Sequence, residues 1–224
     1  MFILEEDGAK FRVLTVFVLI GFIMTLGLVF LTVMFPESSG QYHEFINPEN
    51  IKTELITDSE QARISLYSII IDNFFILGYF ALFYGAYLLT KHLDPVLPRV
   101  GFIMGISTAV FDILENAVLL GLLNGVPVGY EPVNLMFGIQ WLFMSIKDIS
   151  SVIATLIFAV LLIISLNKTD KNKGAILLLA VFLLLYTILG SIGLMDPLFL
   201  QLRNISFVLD MAVASAVFYA ISRS

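Results

Sequence analysis

Six long apolar runs, four of them interrupted by charged residues, decide what this chain can become. They cover Val13 to Phe35 and then about 65–90, 100–123, 139–166, 175–195 and 203–221. A hydrocarbon core of ~30 Å takes ~20 residues of helix to cross, so each run is long enough to span a bilayer. The last is short and carries Asp210. A soluble domain could not absorb this sequence: 59% of the 224 residues are hydrophobic and 13% charged, against about 45–50% and 25% in soluble proteins. The reading is an all-α integral membrane protein, a single transmembrane domain over 1–224 built as a six-helix bundle. The helices are expected at about 13–35, 58–90, 100–123, 139–166, 175–195 and 203–221.

The first run is expected to be an uncleaved spanning helix rather than a removable signal. At 23 residues it exceeds the ~7–15 of a signal-peptide core, and Pro36-Glu37-Ser38-Ser39-Gly40 offers no small-x-small cleavage pattern. Loop charges orient the bundle. Lys10 and Arg12, Lys91 and Arg99, Lys168, Lys171 and Lys173, and Arg223 fall on one side; Lys52, Arg63 and Arg203 fall on the other. The positive-inside bias puts both termini in the cytoplasm, in a multi-pass protein expected in the plasma membrane. The sizeable loop, 36–64, then lies outside and is acidic. It reads as solvated surface rather than a ligand vestibule. Thr57-Asp58-Ser59-Glu60 has the form of a capping box that opens the second helix. Pro95 and Pro98 stiffen the 2–3 turn, and Asn124-Gly125-Val126-Pro127 the 3–4 turn. No internal repeat of the inverted-transporter kind is visible.

Much chemistry is excluded. Without cysteine there are no disulfides, iron–sulfur clusters or thiolate sites. His43 and His92 lie outside the apolar runs, which removes histidine-ligated metal or a Ser–His–Asp relay within the bilayer. A net charge of −6 without a basic run argues against nucleic acid and anionic-lipid anchoring. Gly190-Ser191-Ile192-Gly193 and Gly193-Leu194-Met195-Asp196 only faintly echo intramembrane protease turns: the first lacks a histidine base and the second lacks its second glycine.

The informative residues are the polar ones inside the spans: Asp72 and Asn73 in helix 2, Asp112, Glu115 and Asn116 in helix 3, Lys147 and Asp148 in helix 4, and Asp210 in helix 6. A charge near the bilayer centre costs about 2.5–3.5 kcal/mol, so such groups turn inward toward one another. At 1.5 Å per residue, Asp72, Glu115, Asp112, Lys147 and Asp210 all fall roughly 10–16 Å below the outer ends of their runs. Faces agree with depth. Asp112, Glu115 and Asn116 stand at i, i+3 and i+4. Ser68, Asp72 and Tyr79 share a stripe, as do Trp141, Ser145, Asp148, Ser151 and Thr155 with Lys147 at its edge, and Ser206 pairs with Asp210. Helices 2, 3, 4 and 6 are therefore expected to surround a polar pocket, with 1 and 5 as packing struts. The Tyr79, Tyr84 and Tyr87 series reads mainly as lipid-facing packing, and Trp141 as an interfacial anchor.

Five carboxylates then face one internal cation, Lys147, with Arg203 at the rim. In low dielectric they cannot all be ionised unless protons, bound cations or water relieve them. Carboxylate and amide oxygens form a hard donor set that suits a proton, Na⁺, Mg²⁺ or Ca²⁺. Two function classes follow: proton- or cation-coupled transport of a small solute, or an intramembrane enzyme acting on a lipid or small amphiphile with Glu115 or Asp112 as acid/base and Asn116 donating to substrate. A non-catalytic membrane scaffold is the plain alternative. The expected partners are the lipid bilayer and an unidentified solute or lipid.

Overall fold

The computed structural model describes residues 4–34, 59–125, 134–168, 172–194 and 196–223. The loop residues 35–58, with His43, Thr57 and Asp58 of the expected capping box, lie outside them, as does the 126–133 turn with Pro127. The fold is a six-helix membrane bundle, and among the described residues no strand occurs. The helices are α1 Leu4–Met34, α2 Ser59–Thr90, α3 Leu97–Gly125, α4 Asn134–Ser165, α5 Lys173–Gly193 and α6 Pro197–Ser222. Each is long and apolar enough to cross a membrane.

Several helices begin before their apolar runs. α1 starts at Leu4 rather than near Val13, and α6 at Pro197 rather than near Arg203. A polar first turn is fully compatible with helix in water, so hydropathy marks the membrane crossing and not the helix end. The α6 start has its own cap: the Asp196 side chain accepts from the Leu198 N–H at 2.8 Å, and Pro197 supplies a first-turn residue with no N–H to satisfy. Asp94 does the same ahead of α3, accepting from Val96 and Leu97 at 2.7 and 2.8 Å. Those two N–H donors hold its carboxyl below the usual range.

Sequential helices pack side by side, and the circuit closes through α1 against α6, so the ring order is α1–α2–α3–α4–α5–α6. Gly8 of α1 stands beside Ser222 of α6, so the start of α1 and the end of α6 lie at one end of the bundle. That end is called the termini end here and the other the loop end. α2 is the busiest element, touching α4 and α6 as well as its ring neighbours α1 and α3. α1 turns Val13, Val16, Ile23, Val29 and Phe30 outward, as a lipid-facing strut should. Toward the termini end the interior is an apolar plug of Leu82, Phe83, Ala86, Phe158, Leu162, Leu179, Ala214 and Phe218, all fully buried.

Two glycines let α1 and α2 touch backbone to backbone. A Cβ on Gly78 would stand 2.5 Å from the Gly21 Cα, and one on Gly21 would stand 2.6 Å from the Gly78 Cα, with the Met211 methyl closing the contact from α6. Gly78→Ala must push helices apart rather than bend a side chain, so a loss of about 1–3 kcal/mol is expected. Thermal melts of the purified variant in detergent read it directly. A melting temperature equal to that of the unaltered protein would show that α1 is not held at this contact.

Candidate functional site

The ionisable side chains are positioned by one regularity. Asp72, Asp112, Lys147 and Asp210 each stand thirteen residues from the loop-end terminus of their own helix, at Ser59, Gly125, Asn134 and Pro197 respectively. At 1.5 Å per residue that is roughly 20 Å, close to the helix midpoints. Within this layer the side chains form two ionic groups and one isolated acid.

The first group joins α2, α3 and α4. The Lys147 Nζ lies 2.6 Å from the Glu115 Oε2 and 3.1 Å from the Asp112 Oδ1. The other Asp112 oxygen accepts from the Tyr79 hydroxyl at 2.7 Å, and the Gln140 amide donates to the Glu115 Oε1 at 3.3 Å. Asn116 donates to the Asp72 Oδ2 at 2.8 Å and, more weakly, to the Asn73 Oδ1 at 3.4 Å. Asn73 returns its own amide to the Ile69 carbonyl. Asp112, Glu115, Asn116 and Gln140 are buried, while Asp72 and Asn73 are half-buried. Among the described residues no cation stands within ion-pair distance of Asp72.

The second group joins α4, α5 and α6. The Arg203 Nη1 lies 2.9 Å from the Asp148 Oδ1, with both side chains buried. Its Nε and Nη2 donate to the Asn204 Oδ1, and its guanidinium sits 5.9 Å from the centre of the Tyr186 ring. Gly190 makes room for it: a Cβ there would meet the Arg203 Cδ at 3.3 Å and the Val152 Cγ2 at 2.8 Å. The Tyr186 hydroxyl pairs with the Ser151 hydroxyl at 2.9 Å, and Thr187 donates to Thr155 at 2.9 Å. α5 is therefore more than a strut. It brings a tyrosine and a threonine to the interior.

An aromatic wall separates the groups. The Phe207 ring lies 6.0 Å from that of Tyr79 and 4.9 Å from that of Tyr186. Asp148 directly follows Lys147 on α4, so the groups are neighbours. Asp210 belongs to neither. It is fully buried, and neither of its carboxyl oxygens has a hydrogen-bond partner.

Some expected site residues converge as a set: Asp112, Glu115 and Lys147 through ion pairs, Asp72, Asn73 and Asn116 through amides. Asp148 turns to Arg203 instead, because consecutive helical residues point about 100° apart. Ser68, Ser145 and Ser206 spend their hydroxyls on carbonyls of their own helices and join neither group. Tyr79, expected mainly to pack against lipid, is buried and bonded to Asp112, a correction that follows from its sharing the Asp72 stripe. Arg203, expected at the rim, is inside. Gln140 and Tyr186 were not anticipated, and their only signal is polarity within an apolar stretch.

Among the described residues no three histidine or carboxylate side chains converge as a metal site. Comparison with family models, with curated proteins and with solved structures returns no match to this chain. What the chain does must therefore be argued from the charges themselves. Among the described residues two interior cations, Lys147 and Arg203, face five carboxylates. In low dielectric each uncompensated charge is costly, so the excess calls for protons, bound cations or water.

Proposed function

We propose that the chain is a carrier of the plasma membrane that couples movement of a small solute to protons or to a hard monovalent cation. Both termini lie in the cytoplasm, and the polar layer faces the outside. The observation that supports this reading is the charge imbalance: Lys147 and Arg203 are consumed by Asp112, Glu115 and Asp148, which leaves Asp72 with amides alone and Asp210 with nothing. Exchangeable charge on several intramembrane acids is what ion-coupled carriers use. A divalent ion fits less well, since Mg²⁺ and Ca²⁺ need several converging oxygen ligands.

The apolar plug below the layer favours a second reading, an intramembrane enzyme open only to the loop end. There Glu115 or Asp112 would act as general acid or base on a lipid or small amphiphile. The two readings differ in whether the plug ever opens. The native chain has no cysteine, so single substitutions at Ala86 and Ala214 in the plug, with Ser68 as a loop-end reference, report access without background. In sealed vesicles a carrier is expected to let a charged thiol reagent reach both plug positions from the termini side, at a rate that changes with pH. Labelling of Ser68→Cys alone, at every pH, would leave the enzyme reading in place and remove the carrier.

A further inference from the structure

Asp210 is the residue that the two ionic groups leave unexplained. It sits on the inward face of α6, two helical turns from Arg203, and is completely buried with both oxygens unpartnered. Those turned toward it are few. α5 offers Tyr186, whose ring lies 4.9 Å from that of Phe207 on the same side of α6. α6 itself offers Arg203, already paired with Asp148. Tyr79 of α2 is held by Asp112 behind the Phe207 ring. From α1 come the uncharged residues around Gly21, which pack on the neighbouring Met211.

An ionised carboxylate in such a place would lack both a counter-charge and a donor, and burying it would cost several kcal/mol. A sodium or divalent ion would bring the charge but would need a shell of oxygen ligands, and among the described residues no hydroxyl or amide donates to either Asp210 oxygen and no group of carboxylates gathers around it. A proton needs no shell. It is the one neutralising species that fits the site as built.

The site also has a connection. From the Arg203–Asp148 pair, hydroxyls descend along the α4–α5 seam: Ser151 with Tyr186, then Thr155 with Thr187. Ser151 and Thr155 also donate to the backbone carbonyls of Asp148 and Ser151, so the two hydroxyl pairs are joined only through carbonyls, which pass no proton, and Tyr186 with Ser151 is the pair that reaches α6. Tyr186 belongs to this row and packs on Arg203 and Phe207, which share the inward face of α6 with Asp210.

We infer that Asp210 is a proton-carrying station of the carrier, distinct from the Lys147 group, and that its proton exchanges on the side of Tyr186. No bond other than O–H is made or broken: one proton arrives from water on an Asp210 oxygen and later returns to water on the Tyr186 side. This inference rests on the carrier reading for its purpose, but its test does not.

The test is infrared difference spectroscopy of the full chain in liposomes, comparing acid with alkaline bath and water with deuterium oxide. The unaltered protein should show the carbonyl stretch of a protonated carboxylic acid that shifts on deuteration. Asp210→Asn should lose one such band, and Tyr186→Phe should keep it while exchanging its proton more slowly. A spectrum of Asp210→Asn identical to that of the unaltered protein would overturn the assignment. A band that never exchanges would make Asp210 a structural acid, and unchanged exchange in Tyr186→Phe would overturn the route. Thermal melts supply an independent reading. A neutral Asp210 predicts that Asp210→Asn and Asp210→Leu melt no lower than the unaltered protein, whereas a sharp fall in both would mean that the native carboxylate is charged and paired. Failure of the plug-labelling experiment with a positive infrared result would remove the carrier and keep the proton site.

Discussion

Lys147→Met should cost on the order of 3–5 kcal/mol, enough to abolish a stable fold in a protein of ordinary stability. The ammonium lies within 3.1 Å of two carboxylates at once. Methionine keeps the length and flexibility of the stem but leaves Asp112 and Glu115 facing each other without a counter-charge. Tyr79 and Gln140 each offer one hydrogen bond to the pair, which cannot replace a full charge. The decisive comparison is with the triple variant Lys147→Met, Asp112→Asn, Glu115→Gln. If uncompensated charge is the penalty, the triple variant should recover most of the melting temperature in the same detergent. A single variant within about 1 kcal/mol of the original would show that these acids are not held as an ion pair at all.

Glu115→Gln should have the opposite profile, folding normally while losing function. The amide keeps the shape and the hydrogen bond from Gln140, and Lys147 retains Asp112 as its partner. What disappears is a carboxylate that can take up and release a proton beside a fixed cation. Under the carrier reading, Glu115→Gln should give vesicles with no pH-dependent change of access at Ala86→Cys or Ala214→Cys, with expression and melting temperature near those of the parent. Single-cysteine parents with and without the Glu115 change supply the comparison. If the pH dependence survives in Glu115→Gln, Glu115 is glue between α3 and α4, and coupling belongs to Asp72 or Asp210.

The existence of the spans was legible because apolar length is a one-dimensional property, and among the described residues six helices stand where six runs were expected. Depth and face were legible for the same reason. A fixed rise and a fixed turn per residue place Asp112, Glu115 and Asn116 on one side and at one level without knowledge of neighbours. The pairing of charges was not. Whether Lys147 meets Asp112 or Asp148 meets Arg203 depends on which helices adjoin, and ring order is decided by packing between segments far apart in the chain. α5 shows the gap most clearly. Its sequence is nearly all aliphatic, so it reads as a strut. Yet wedged between α4 and α6 it delivers Tyr186 to Ser151 and lends Gly190 to the stem of Arg203. Helix ends were also hidden, because Asp196-Pro197 starts α6 by capping chemistry that hydropathy does not register.

The ion pairs also set a schedule for synthesis. Asp112 and Lys147 are 35 residues apart, so at about 5–20 residues per second the ribosome releases the acid roughly 2–7 s before its base. Asp72 emerges earlier still, and Asp148 must wait for Arg203 at the start of the final helix. Through those seconds α2 and α3 carry unmatched acids that lipid would reject. They must linger, protonated or sheltered at the insertion machinery, until α4 arrives to release them into the bilayer as a trio. A pause site or truncation placed between α3 and α4 should therefore strand nascent chains at that machinery rather than free in the membrane. Crosslinking of arrested chains would reveal this as a contact that vanishes once Lys147 has emerged.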